Sequence, residues 1–123
     1  VSKKRILVVD DDPDLVELLR KKLDLEGFEC LVAEDGHSGL ELAKKEKPDL
    51  IVLDLMLPGM DGYKICRLLK FDDRYKHIPI IMLTARTRTE DRTLGAETGV
   101  DLYVTKPFSM KEFLPKRKAF LVT

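Results

Sequence analysis

"RILVVDDDPDL", residues 5 to 15, sets four aliphatic residues against four acids within one short stretch. Ile6 to Val9 have the brevity and branching of a strand buried on both faces. Pro13 suits the first turn of a helix, and Leu15, Leu18, Leu19 and Leu23 then recur at intervals of three and four until Gly27. A strand running directly into a helix is one β-α unit, and the same succession repeats along the chain. The apolar runs "CLVA" (30 to 33), "LIVL" (50 to 53), "IPIIML" (78 to 83) and "DLYV" (101 to 104) alternate with segments of helical spacing. Those segments cover 36 to 46, 61 to 71, 87 to 98, and a last one opening at Ser109, where "SMKE" forms a capping box. Five such units predict an α/β fold, a parallel sheet with helices on both faces. A chain of 123 residues supports one core rather than two, so residues 1–123 are expected to form a single domain.

Sheets of this kind carry their sites at the carboxyl ends of the strands. The first strand delivers Asp10 and Asp11 there, the third Asp54, the fourth Thr84, and the fifth Lys106 just before Pro107. Each alone is an ordinary cap or turn residue. Convergence from four strands is what points to a site. Two carboxylates about 4 Å apart repel by roughly 4 kcal/mol at an effective dielectric of about 20, so a cation is expected among them. An oxygen-rich acidic cleft suits a hard divalent ion, and Mg²⁺ needs few protein ligands because it keeps several waters. Asp12 reads as the cap before Pro13 and Asp14 as an acid at the positive end of the first helix, so neither is assigned to the site. Pro107 restricts the backbone of Lys106 and helps to fix where its ammonium lies.

Other classes are excluded or weakened by the same residues. Lys plus Arg balance Asp plus Glu at 22 each, so no basic excess invites nucleic acid or an anionic membrane. No apolar run approaches a membrane span and the first residues lack the pattern of a signal peptide, which predicts a cytoplasmic protein. Cys30 and Cys66 form no metal-type pair, and each sits within an apolar pattern, so both are expected to be free, buried thiols. An EF-hand loop beginning at Asp10 would need glycine where Leu15 stands and glutamate where Lys21 stands. His37 and His77 sit in polar contexts with no nucleophile pattern nearby. Asp10 and Asp12 do have the spacing of a haloacid dehalogenase-like phosphohydrolase, with the first as nucleophile and the second as acid. That enzymatic alternative lacks room here for the larger core and cap of its family.

Taken together, "ILVVDDD", "DLIVLDLMLPGMDG", "IPIIMLTA" and "GVDLYVTKPF" resemble the receiver domain of two-component response regulators over nearly the whole chain. The resemblance implies a doubly wound, flavodoxin-like sheet of five strands in the order 2-1-3-4-5 with five helices. It implies that Asp54 accepts a phosphoryl group from the phosphohistidine of a sensor histidine kinase. Asp11, Asp54 and the backbone carbonyl of Met56 would hold Mg²⁺, with Asp10 acting through water. Thr84 and Lys106 would contact the phosphoryl oxygens. Tyr103 would turn inward on activation and change the surface of the fourth helix, fifth strand and fifth helix for an output domain or protein. Such a domain is a switch more than an enzyme, catalysing only its own phosphorylation and dephosphorylation, and is expected to be a monomer, or a dimer when phosphorylated. A pseudo-receiver that works without phosphorylation would be expected to lose Asp54 or Lys106, and both are present. Pro58 and Gly62 are expected to shape the loop after Asp54. Leu102 stands where many relatives have a second acid. Pro115 falls inside the expected fifth helix and predicts a kink or an early stop there.

Overall fold

Alternation within each strand decides which side of the sheet a residue serves, because successive side chains point to opposite faces. Leu7, Val9, Ile51, Leu53, Ile80 and Met82 pack into one buried cluster. Their neighbours Ile6, Val8, Leu50, Val52, Ile81 and Leu83 pack into another. Both clusters need a helical lid, and the intervening segments supply it. The computed structural model describes residues 3–84 and 100–105, Thr105 by its backbone alone.

The strands are β1 (Arg5–Val9), β2 (Glu29–Ala33), β3 (Leu50–Asp54), β4 (Ile80–Thr84) and β5 (Leu102–Thr105). They pair in parallel in the order β2-β1-β3-β4-β5, as the resemblance implied. Among the described residues the helices are α1 (Pro13–Leu25), α2 (Gly36–Glu46) and α3 (Gly62–Lys70). Leu19 and Leu23 of α1 join the Ile6 cluster, while Ala43 of α2 and Ile65, Cys66 and Leu69 of α3 join the Leu7 cluster. Each fully buried leucine of this kind is worth about 1.5–3 kcal/mol of transfer free energy.

The three helix starts use the same device. Asp12, Asp35 and Asp61 each hold an extended backbone and accept amide hydrogens of the first turn, from Asp14 and Leu15, from Ser38, and from Lys64. Asp12 therefore has the capping role read from the sequence. After α1 the chain reverses through Gly27, whose φ of +90° lies in the left-handed region that favours glycine.

Several boundaries differ from the sequence reading. β4 starts at Ile80 rather than 78, because Pro79 has no amide to donate to the ladder and contributes only its carbonyl, to Ile51. β5 starts one residue late because the Asp101 carboxylate accepts the Ile80 amide at 2.7 Å, a side chain taking the place of a ladder acceptor. Leu18 was grouped with the inward leucines of α1 but is 45% exposed, on the outer flank of the apolar stripe. β2 is only partly buried because it lies at the edge of the sheet. Cys30 and Cys66 are free thiols, the first half-buried and the second buried. Burial pushes the Cys30 thiol up to about 11. The segments read as the fourth and fifth helices, together with Lys106, Pro107 and Pro115, lie outside the described residues.

Candidate functional site

Asp10 follows β1 and is fully buried, its amide donating to the Ala33 carbonyl at 3.1 Å. Its Oδ1 accepts the Asp12 amide at 2.9 Å, so one carboxylate oxygen shapes the turn into α1. Asp11, between them, is exposed. Asp54 closes β3, the central strand, and is buried. Its Oδ1 accepts the Met56 amide at 3.3 Å, and its partner across the sheet is Leu83. Thr84 is the last residue of β4, one position past that pair, and is also buried.

The sheet thus brings together three of the predicted acids. Asp10, Asp11 and Asp54 each offer a carboxylate oxygen, and these atoms all lie within 4.8 Å of one another. At that separation each pair of charges repels by roughly 3 kcal/mol at an effective dielectric of about 20. The donor set is wholly hard oxygen. Opposite oxygens around a Mg²⁺ ion stand roughly 4.2 Å apart, so small side-chain adjustments would bring the acids onto one ion. The cluster fits a small divalent cation. Met56 lies beside it, exposed, with its amide turned to Asp54.

The loop between β3 and α3 is pinned from two sides by residues with no side chain. A Cβ on Gly62 would stand 2.7 Å from the Asp54 carbonyl oxygen and 2.9 Å from the Leu55 Cα, and the Gly62 amide donates to the Leu55 carbonyl at 2.9 Å. A Cβ on Gly36 would stand 2.6 Å from the Met60 carbonyl oxygen. The sequence reading of Gly62 as a loop-shaping residue is met by this close approach, while Gly36 was read only as a helix start.

Tyr103, in β5, is half-buried. Its hydroxyl lies 3.2 Å from that of Tyr63, and the two rings meet edge to face with centroids 6.5 Å apart. Tyr63 was not singled out from the sequence. The available signal was the spacing of Tyr63, Cys66 and Leu69, which marks the inward stripe of α3. His37 and His77 are exposed, as expected. Lys106, the one predicted cation of the site, is outside the described residues.

Comparison with known proteins adds an independent line. The family described as "Response regulator receiver domain" matches residues 6–117. The DNA-binding response regulator MtrA of Mycolicibacterium smegmatis is 50% identical over 119 residues, covering 97% of this chain and 51% of that protein. The alkaline phosphatase synthesis transcriptional regulatory protein PhoP of Bacillus subtilis is 47% identical over 118 residues, covering 96% and 48%. Among solved structures, the chemotaxis response regulator CheY4 of Vibrio cholerae superposes with a TM-score of 0.91 at 29% identity, covering 98% of this chain and all of that one. The BeF3-activated N-terminal receiver domain of Klebsiella pneumoniae RstA gives 0.87 at 31% identity, with 98% of this chain covered. The chain spans about half the length of the curated relatives it matches. The expectation that nucleic acid has no part rested on the neutral charge of these residues alone. It is not supported by relatives of twice the length that are named as DNA-binding. On the match across residues 6–117, the chain belongs to the response regulator receiver domains, the signalling domains of two-component systems.

Proposed function

We propose that residues 1–123 act as one receiver domain in which Asp54 accepts a phosphoryl group from the phosphohistidine of a sensor kinase. The observation that carries this reading is the gathering of Asp10, Asp11 and Asp54 within 4.8 Å, with Asp54 buried at the end of the central strand. Phosphoryl transfer asks little covalent chemistry of a protein; it asks for an in-line acceptor and neutralisation of charge on the transferring oxygens. Asp54 supplies the acceptor oxygen, held by its strand and by the Met56 amide. Asp11, Asp54 and the carbonyl of Met56 would hold Mg²⁺, with Asp10 acting through water, and the ion would supply positive charge to the phosphoryl oxygens. Thr84 and Lys106 contact those oxygens, the hydroxyl donating one hydrogen bond and the ammonium a charge-assisted one.

The added group carries about −1.5 to −2 charges, so Thr84 and Lys106 bind it by closing on Asp54. That motion makes room for Tyr103, whose turn alters the face expected from β5 and the segments read as the fourth and fifth helices. The partner reading that face is an output domain, which the names of the relatives suggest binds DNA. On this reading the protein is a cytoplasmic switch whose only catalysis is its own phosphorylation and dephosphorylation.

Incubation with a small-molecule phosphodonor and Mg²⁺, followed by peptide mass spectrometry, tests the assignment. One phosphoryl group on Asp54, lost in Asp54→Asn and retained in Asp12→Asn, is expected. An adduct on Asp10 would favour the phosphohydrolase alternative.

A further inference from the structure

Tyr63 is the second residue of α3, one position past the glycine seated on the Asp54 carbonyl. It is buried, with its hydroxyl against that of Tyr103 at 3.2 Å. The strand partner of Tyr103 is Met82, whose sulfur lies 3.0 Å from where a Gly62 Cβ would be. The start of α3 thus overlies the very part of β4 and β5 that holds the aromatic. Two helical turns on, Lys70 of α3 meets the Asp101 carboxylate at 2.7 Å. Asp101 and Tyr103 are two residues apart and so lie on the same side of the strand. α3 therefore grips β5 and the residue that leads into it at two points, one charged, the other a pair of hydroxyls.

The two grips differ in what they permit. Lys70 also donates to the Ile78 carbonyl at 2.7 Å, and Asp101 also accepts the Ile80 amide, so that end is cross-braced. The tyrosine pair shares a neutral hydrogen bond between its hydroxyls and an edge-to-face ring contact. A neutral bond between two hydroxyls can be exchanged for another when the site changes.

We propose that Tyr63 is a positioning residue that sets the resting position of Tyr103, its hydroxyl acting as a latch on the switch aromatic. The switch role of Tyr103 rests on the function proposed above. The latch itself does not. Because Tyr63 follows the Asp54-seated glycine, the latch also ties the resting position of Tyr103 to the backbone of the phosphoacceptor.

The test is nitration of tyrosine by tetranitromethane, resolved by peptide mass spectrometry, on the wild-type chain, Tyr63→Phe and Tyr75→Phe. Tyr63→Phe keeps the ring and removes only the hydroxyl. It is expected to speed nitration of Tyr103 by about three- to tenfold, the population change that loss of one ordinary hydrogen bond allows. Tyr75, also buried, reports on the fold as a whole. Tyr75→Phe is expected to leave the Tyr103 rate unchanged. Beryllofluoride with Mg²⁺ is expected to change the Tyr103 rate in the wild type and to change it less in Tyr63→Phe, whose free state has already moved. An unchanged Tyr103 rate in Tyr63→Phe would overturn the latch. So would a rise shared equally by Tyr75, which would mean general loosening. A wild-type chain that takes up no phosphoryl group would instead overturn the receiver reading and the switch role of the pair, leaving the nitration rate to decide the contact alone.

Discussion

The two ends of the sheet use charge in opposite ways. At the amino edge, where strands begin, each described acid is met by a donor. The Asp49 carboxylate accepts the Arg5 amide at 2.8 Å, Arg5 itself bridges to Glu29 and Glu46, and Asp101 is braced by Lys70 and the Ile80 amide. At the carboxyl edge Asp10 and Asp54 also accept amides, from Asp12 and Met56, but acid is set against acid as well, with Asp10, Asp11 and Asp54 converging from two adjacent strands. The first arrangement ties strands to helices. The second raises the energy of the empty fold, and on the function proposed above it does so for affinity toward a cation and an anionic group. Position in the β-α unit, rather than residue type, separates the charges that hold the fold from those to which the proposed function is assigned.

Crowding offers the harshest way to probe the carboxyl edge. Gly62→Ala would press a methyl group onto the Asp54 carbonyl oxygen, where the neighbour is backbone and cannot swing aside. A loss of about 1–3 kcal/mol is expected from overpacking of this kind, read from the urea midpoint, with slower phosphorylation of Asp54. An alanine variant of wild-type stability and rate would show that the loop has room to retreat.

Lys70→Ala probes the amino edge. Lys70 is mostly buried and Asp101 about a third exposed, so the pair is screened in part by solvent. Removing the ammonium leaves the Asp101 carboxylate and the Ile78 carbonyl with one donor fewer, and a loss of about 1–2 kcal/mol is expected after that discount. Phosphorylation of Asp54 should be little changed, since this end of the sheet is remote from the chemistry. A large fall in phosphorylation would erase the division of labour between the edges.

The smallest effect belongs to an exposed pair. Hydrogen bonds from the Arg74 side chain, then from its amide, hold the Asp72 carboxyl down at about 2. A depressed carboxylate adds stability above its unfolded pKa of about 3.9, and that contribution is lost as pH falls through about 2. Arg74→Ala should therefore lower stability slightly above about pH 4, the gap from the wild type closing as pH falls from about 4 to 2. An acid limb identical to that of the wild type would show that solvent already screens the pair.

Much of this contrast was legible in the sequence, for reasons that particular residues make plain. Ile6 to Val9 and Leu50 to Leu53 are aliphatic without interruption, which only strands covered on both sides require. Asp10, Asp11, Asp54 and Thr84 stand immediately after such runs, so their common edge followed from topology alone. The braces of the amino edge were not legible. Lys70 and Asp101 are 31 positions apart in sequence, and no local pattern pairs them. Tyr63 was hidden for a related reason, since an aromatic on an inward helical stripe is ordinarily core, and only its meeting with Tyr103 gives it another task. Boundaries slipped where a side chain replaced backbone, as at Asp101, or where proline withheld an amide, as at Pro79.

The most direct test of the account is urea unfolding of the wild type and Asp11→Asn, each with and without Mg²⁺. Without the ion, the variant is expected to be the more stable, because one of three mutually repelling charges is gone. With Mg²⁺ at about a hundred times its Kd, the wild type should gain roughly 2.7 kcal/mol and overtake the variant, which gains little. Curves that keep the same order in both conditions, with the wild type unmoved by the ion, would contradict the claim that this edge stores like charge for a cation.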